Sequence, residues 1–141
     1  MIRRRLIISI LAVALLSVTF VANAAATFKI ALVAPFTGSG SILGEYIKNA
    51  LVLAVDEINA AGGVKGRKIE YVIYDDAASP ATALNVVNKA ILNDQVDVMF
   101  GPNMSSCVLA VNQIAKDNKV PMLVGATSPS FGYDKIGNDY L

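Results

Sequence analysis

Residues 100–107 read FGPNMSSC, and this stretch joins a mostly apolar strand to a helix. Gly101 and Pro102 stop the strand, and Ser105 and Ser106 stand where a helix takes its N-cap. The first turn of a helix leaves backbone N–H groups unpaired and carries partial positive charge. The stretch therefore predicts a small anion site suited to a carboxylate. The alternative at this point is that Ser105 only caps its own helix.

The stretch belongs to a regular alternation of strands and helices. The strands are predicted at residues 28–34, 69–74, 96–100 and 120–124, and the helices at residues 44–61, 80–93 and 105–118. The apolar residues predicted to face the sheet from the first helix are Ile47, Ala50, Leu51, Ala54 and Ile58. Apolar strands separated by helices predict an α/β fold, a parallel sheet with helices on both faces. Ligands of such sheets bind at the carboxyl ends of the strands.

The N-terminal residues 1–24 are predicted to be a secretory signal peptide. Arg3, Arg4 and Arg5 precede an apolar run over residues 6–21, and Ala22-Asn23-Ala24 offers small residues for cleavage after Ala24 or Ala26. The alternative is a membrane anchor, but the run is shorter than the span of about 20 residues that a bilayer needs. The mature chain is therefore expected outside the cytoplasm, in the periplasm.

Charge and reactive residues exclude several classes of protein. The chain has 12 basic and 11 acidic residues, and loss of the three arginines with the signal peptide leaves a net charge of about −2. No basic patch is left for nucleic acid. With no histidine and one cysteine, Cys107, the chain has no usual zinc set, no Ser-His triad and no internal disulfide. Cys107 is predicted to be a small buried apolar residue rather than a reactive thiol.

Two features allow a rival interpretation, a nucleotide-dependent oxidoreductase domain. The loop TGSGS at residues 37–41 follows the first strand, and Asp75 and Asp76 end the second, where a ribose-binding acid would stand. However, the glycine spacing departs from G-x-G-x-x-G, and an exported protein meets little nicotinamide cofactor. The two aspartates are predicted to form turns with their own backbone rather than to act as catalytic carboxylates. We expect no catalytic residue, cofactor or metal.

The ordered set of motifs resembles the substrate-binding proteins of branched-chain amino acid ABC transporters, the leucine/isoleucine/valine type. The segments that carry the resemblance are residues 30–38 (IALVAPFTG), 56–66 (DEINAAGGVKG), 74–76 (YDD), 101–106 (GPNMSS), 120–122 (VPM) and 126–129 (ATSP). They run in family order over most of the chain after the signal peptide, and DEINAAGGVKG is the most specific of them.

The resemblance implies a type I periplasmic binding protein, in which two α/β lobes close over a ligand. Residues 25–141 would form the first lobe, truncated at its C-terminus. In the family this lobe holds the amino-acid head group, and the resemblance assigns ligand contacts to Ser105, Ala126 and Thr127. Ser106 and Leu43 are further candidate ligand-binding residues, with Leu43 at a position where well-known members carry an aromatic residue.

Two departures from the family leave the ligand open. The family disulfide would fall at Ala78 and Met104, so it cannot form, and the loop before Ala126 is one residue shorter. Relatives bind aliphatic amino acids, amides, urea or aromatic acids. We therefore expect a monomeric binding component that delivers a small carboxylate or amide to a membrane permease. A sensor domain of the same fold is the alternative within this fold.

Overall fold

The computed structural model describes residues 26–126. Its elements alternate strictly from β1 to β4. The strands are β1 (Phe28–Ala34), β2 (Ile69–Asp75), β3 (Val98–Phe100) and β4 (Met122–Leu123). The helices are α1 (Ser41–Ala60), α2 (Pro80–Leu92) and α3 (Ser105–Asn118), with a 3-10 turn at Gly38–Gly40 before α1. The predicted signal peptide and Thr127 lie outside the described residues.

The strands form one parallel sheet in the order β2-β1-β3-β4. The chain moves from β1 to β2 on one side and then returns past β1 to reach β3 on the other. The direction of winding therefore reverses between β1 and β3, where the two strands pair from Ile30 with Val98 to Leu32 with Phe100. In open α/β sheets the crevice at such a switch point, beyond the carboxyl ends of the strands, is where ligands bind.

A hydrophobic core cluster lies on the face of the sheet that α2 and α3 cover. It joins alternate strand residues, among them Ala31, Val33 and Met99, to buried residues of both helices such as Val87 and Val111. Leu32 points to the opposite face and is also fully buried. The predicted fold class, a parallel sheet with helices, is confirmed.

Helix α1 begins at Ser41, and its buried side differs from the predicted one. Of the five predicted residues, Ile47 and Leu51 are half-buried, but Ala50, Ala54 and Ile58 are exposed. Gly44 and Val55 are buried instead. The helix is rotated because Gly44 packs against the chain after β1: a Cβ at Gly44 would lie 2.1 Å from the carbonyl oxygen of Pro35. Only glycine allows this approach, so the close contact at Gly44 contributes to the choice of the buried face.

The last two strands are shorter than predicted. Val96 donates its backbone N–H to the carbonyl of Ala90 at the end of α2, so it leaves the ladder and belongs to the connection. Pro121 has no backbone N–H to donate to the strand ladder, but its carbonyl accepts from the N–H of Met99.

Within residues 26–126, no helix is long and apolar enough to cross a membrane.

Candidate ligand-binding site

The loops that follow the four strands meet at the carboxyl edge of the sheet, as predicted. The Thr37 hydroxyl donates to the Asp75 carboxylate at 2.6 Å, which joins the loops after β1 and β2. The backbone N–H of Gly101 donates to the carbonyl of Leu123 at 2.8 Å, which joins the ends of β3 and β4. Hydrogen bonds therefore hold the strand ends together in two pairs at this edge, β1 with β2 and β3 with β4.

The start of α3 is uncapped. The N-cap is Met104, which makes no side-chain cap hydrogen bond, and Ser105 is the first helical residue. The alternative that Ser105 only caps its helix is therefore wrong. The N–H groups of Cys107 and Val108 bond to the carbonyl of Met104, both at 3.0 Å. Within the described part of the chain, those of Ser105 and Ser106 have no acceptor, so the helix start is open to an anion.

The structure brings several of the predicted site residues to this edge. Ser105 is half-buried and Ser106 is exposed in the first turn of α3. Ala126, half-buried, follows β4, and Leu43, 43% exposed, lies in the first turn of α1 after the β1 loop. Each of these residues thus follows the carboxyl end of a strand or its loop. Thr127 lies beyond the described residues, so its assignment stays a prediction.

In the TGSGS loop, Gly40 allows close packing. A Cβ on Gly40 would lie 2.6 Å from Cγ of Pro35 and 3.2 Å from Cε of Met104. Gly40 therefore lets the β1 loop lie against Met104, the N-cap residue of α3. This contact brings the loops after β1 and β3 together at the switch point between these strands.

Asp75 ties the β1 loop to the end of β2. Its Oδ1 accepts from the backbone N–H groups of Phe36 and Ala77, both at 2.8 Å, and its Oδ2 accepts from the Thr37 hydroxyl. Desolvation alone would raise the pKa of Asp75, but these hydrogen bonds, with a longer one from the Thr37 N–H, bring it below its usual value. Both oxygens are engaged by the loop, which favours the predicted turn role over a ribose contact.

Asp76 is fully buried at the end of β2. Its Oδ1 accepts from the backbone N–H of Ala78 at 2.9 Å, and its Oδ2 has no partner within the described residues. Burial raises the pKa of Asp76; the Ala78 hydrogen bond opposes this, and the charge of Asp75 adds to it. Cys107 on α3 is the other ionisable group that couples to this carboxyl.

Because its pKa is raised in the folded chain, Asp76 favours folding only while it is protonated. That contribution is complete below the unfolded pKa of about 4 and is lost as pH rises through the folded pKa. Asp76→Asn cannot ionise, and we expect it to be more stable than the wild type by roughly 1–3 kcal/mol near neutral pH. The difference should shrink towards about pH 4.

Urea denaturation of both proteins across this pH range measures the effect. Asp56→Asn, on the exposed side of α1, is the matched control and should change stability little at any pH. A stability difference between Asp76→Asn and wild type that stays constant with pH would show that Asp76 does not titrate in this way.

Cys107 is buried on the inner side of α3, as predicted. Burial raises the pKa of its thiol, and the nearby Asp76 carboxyl raises it further. A raised pKa leaves little thiolate, which is the reactive form, so the structure favours a packing role. Within residues 26–126, no cluster of three or more His, Cys, Asp or Glu residues is arranged to hold a metal.

Asn103, which the sequence prediction did not single out, lies between the ends of β3 and β4. Its Oδ1 lies 2.8 Å from the position that a Cβ on Gly125 would occupy. Its Nδ2 is buried without a hydrogen-bond partner in the described part of the chain. The only signal in the sequence was a polar residue between a strand end and a helix start, which is also common in ordinary turns.

Residues 27–140 match the family described as periplasmic binding protein. The match covers most of the chain, and this chain belongs to that family. The family assignment agrees with the parallel sheet of the structure. It also confirms the resemblance drawn from the sequence motifs.

Characterised relatives and solved structures agree with the family. A leucine-, isoleucine-, valine-, threonine- and alanine-binding protein of Pseudomonas aeruginosa is 41% identical over 117 residues, which cover 80% of this chain and 31% of the relative. The substrate binding protein LivJ of Streptococcus pneumoniae, solved with isoleucine, superposes with a TM-score of 0.75 at 35% identity, over 81% of this chain and 32% of that one.

A third similar structure carries a different ligand. A solute binding protein of an ABC transporter from Rhodopseudomonas palustris, in complex with 3,4-dihydroxy benzoic acid, has a TM-score of 0.69 at 34% identity. The match covers 74% of this chain and 28% of that chain. These relatives are binding proteins, and this chain spans about a third of their length.

Proposed function

We propose that this chain forms the first lobe of an extracytoplasmic solute-binding component of an ABC transporter. Its ligand is a branched-chain amino acid or a related small carboxylate or amide, which it delivers to a membrane permease. The lobe works without catalysis, cofactor or metal, as a monomer in the full-length protein. Ligand binding draws a second lobe over the site by a hinge motion.

The observation that carries this proposal is the uncapped start of α3 at the switch point of the sheet. The N–H groups of Ser105 and Ser106 lack acceptors in the described residues, and the N-cap residue Met104 makes no side-chain cap hydrogen bond. A carboxylate suits this position for two reasons. Its oxygens accept hydrogen bonds from the free N–H groups, and its negative charge is stabilised by the positive end of the helix dipole. Ala126 and Thr127 contact the part of the ligand next to its carboxylate. Leu43 contacts the apolar part of the ligand.

Export of the chain is a separate part of the proposal. Expressed from its native start, the protein is expected in the periplasmic fraction with Ala25, or a residue close to it, as its N-terminus. The physical reason is the charged start, short apolar run and small-residue site of residues 1–24. N-terminal sequencing of the fractionated protein measures this. Recovery of Met1 on a membrane-bound product would contradict it.

The binding role is tested by calorimetry on the full-length protein. We expect saturable binding of at least one aliphatic amino acid or small carboxylate from a panel that includes amides and aromatic acids. Uptake of the same solute by cells that lack the gene should fall, because the permease is no longer supplied. A protein that binds no member of the panel would refute the proposal.

A sensor domain of the same fold would bind the same kind of ligand, but its partner would not be a membrane permease. In that case the ligand binds, but deletion of the gene leaves uptake unchanged and alters a response to the solute. The uptake measurement therefore separates the two roles. The oxidoreductase interpretation has little support, because Asp75 is engaged by Thr37 and Phe36 and because the family consists of binding proteins.

A further inference from the structure

We propose that the side chain of Arg67 holds the N-terminal end of the exported chain, and that signal-peptide cleavage therefore leaves Ala25 as the first residue rather than Thr27. The inference rests on the export part of the proposed function and deepens it. The sequence alone allows two cleavage positions, after Ala24 and after Ala26. The contacts of Arg67 distinguish between them, because they include the residue at which the second cut would fall.

Arg67 contacts three successive residues at the start of the described chain. Its Nε donates to the carbonyl of Ala26 at 2.6 Å, and its Nη2 donates to the carbonyl of Thr27 at 2.7 Å. Its guanidinium carbon lies 5.3 Å from the centre of the Phe28 ring. A guanidinium is suited to this contact, because it is planar and presents several donors in fixed directions. One side chain therefore binds the segment that leads into β1.

Arg67 is itself held in place by its backbone and by a carboxylate. Its backbone N–H and carbonyl form a pair of hydrogen bonds with Val64, at 3.0 and 2.8 Å, in the turn before β2. Its Nη2 also lies 3.5 Å from Oδ2 of Asp97, which accepts from the backbone N–H of Lys29 at 2.7 Å. The guanidinium is therefore oriented towards the start of β1, and little further ordering is needed for it to bind the chain there.

The second possible cut falls within these contacts. Cleavage after Ala26 would remove the carbonyl that accepts from Nε of Arg67. The nitrogen of Thr27 is bonded to the carbon of that carbonyl, so its new ammonium would form within about 5 Å of the guanidinium. Two positive charges at this distance repel each other. Cleavage after Ala24 keeps both carbonyls and places the new ammonium two residues earlier.

The contacts of Arg67 lie beside the first hydrogen bond of the sheet. The backbone N–H of Phe28 donates to the carbonyl of Lys68 at 2.8 Å, where the pairing of β1 with β2 begins. Chain ends that nothing ties down fray and are preferred sites of proteolysis. By holding the two residues before this hydrogen bond, Arg67 protects the start of β1 from fraying and from proteases.

The test begins with the mass and N-terminal sequence of the wild-type protein from the periplasm, for which we expect a single start at Ala25. Full-length forms that start at Ala25 and at Thr27 are then prepared, each with and without Arg67→Ala. Hydrogen exchange of the Phe28 amide, followed by NMR, measures fraying. Arg67→Ala should speed this exchange about ten-fold in the form that starts at Ala25. The increase should be less than about three-fold in the form that starts at Thr27, which has already lost the Ala26 carbonyl.

Two variants and an internal reference control the experiment. Lys65→Ala removes the same charge from an exposed position of the same turn and should leave exchange of the Phe28 amide unchanged. Arg67→Lys keeps the charge but lacks the fork that reaches two carbonyls, so it should resemble Arg67→Ala. The amide of Leu32, in the buried part of β1, is the reference, because a general loss of stability would speed its exchange as well.

The outcomes separate this inference from the export prediction. A wild-type protein that starts at Thr27 would overturn the inference and leave export intact. Exchange at Phe28 that does not respond to Arg67→Ala, or that responds equally in both forms, would also overturn it, since Arg67 would then not hold Ala26. Recovery of Met1 on a membrane-bound product would overturn both export and the inference.

Discussion

Ser105→Ala is expected to weaken ligand binding by the full-length protein about ten-fold to a hundred-fold. The reason is that its hydroxyl and the free N–H groups of the first turn of α3 hold the charged carboxylate of the ligand. The free energy of unfolding should change little, because Ser105 is the first helical residue and makes no cap hydrogen bond in the structure. Calorimetry and thermal melts on the same preparations measure the two quantities.

Ser105→Asp gives the stronger effect on binding. A negative charge in the first turn of a helix is favourable for the helix, so stability should be kept or slightly increased. The same charge repels a bound carboxylate, so affinity should fall further than in Ser105→Ala. Normal affinity with aspartate at this position would remove Ser105 from the site.

Ser79→Ala is the matched control for both variants. Ser79 is the N-cap of α2, and its Oγ accepts from the backbone N–H of Thr82 at 3.4 Å. The alanine variant should therefore lose about 1 kcal/mol of stability and bind ligand normally. The two serines should thus show opposite patterns, one in affinity and the other in stability.

Gly101→Ala is expected to lower the free energy of unfolding by about 3 kcal/mol or more, enough to unfold a marginal domain. Two effects add at this residue, which follows β3 directly. Its φ of +96° is a conformation that L side chains rarely adopt, and a Cβ would lie 1.9 Å from the carbonyl oxygen of Val33. That carbonyl belongs to the buried end of β1 and cannot move without disturbing the sheet.

Gly66→Ala separates the two effects. Gly66 has a similar φ of +80°, but a Cβ there would meet no atom within 4 Å. This variant should therefore show only the conformational penalty, about 1 kcal/mol. Urea denaturation measures both variants, and the difference between them is the effect of the contact with Val33. Equal losses of stability would contradict the close approach of Gly101 to β1.

Much of the fold could be predicted because it depends on short-range patterns. Apolar strands such as residues 28–34 and the caps around Ser79 and Pro80 are properties of a few neighbouring residues. A parallel sheet then places every strand-to-helix loop at one edge, so the approximate location of the site followed as well. The prediction failed in part where a tertiary contact acts beside the local pattern. Gly44 packs against Pro35, and three residues of α1 that were predicted to be buried are exposed: Ala50, Ala54 and Ile58.

The sequence by itself determined the alternation of strands and helices and the family, since these follow from local composition and ordered motifs. The export signal also follows from local composition and stays a prediction. Only the tertiary structure decided the strand order β2-β1-β3-β4, and with it the switch point between β1 and β3. It also decided that Ser105 is not a cap and that Asn103 lies against Gly125. The physical reason is that pairing and packing join residues distant along the chain, and no local propensity specifies which of them meet.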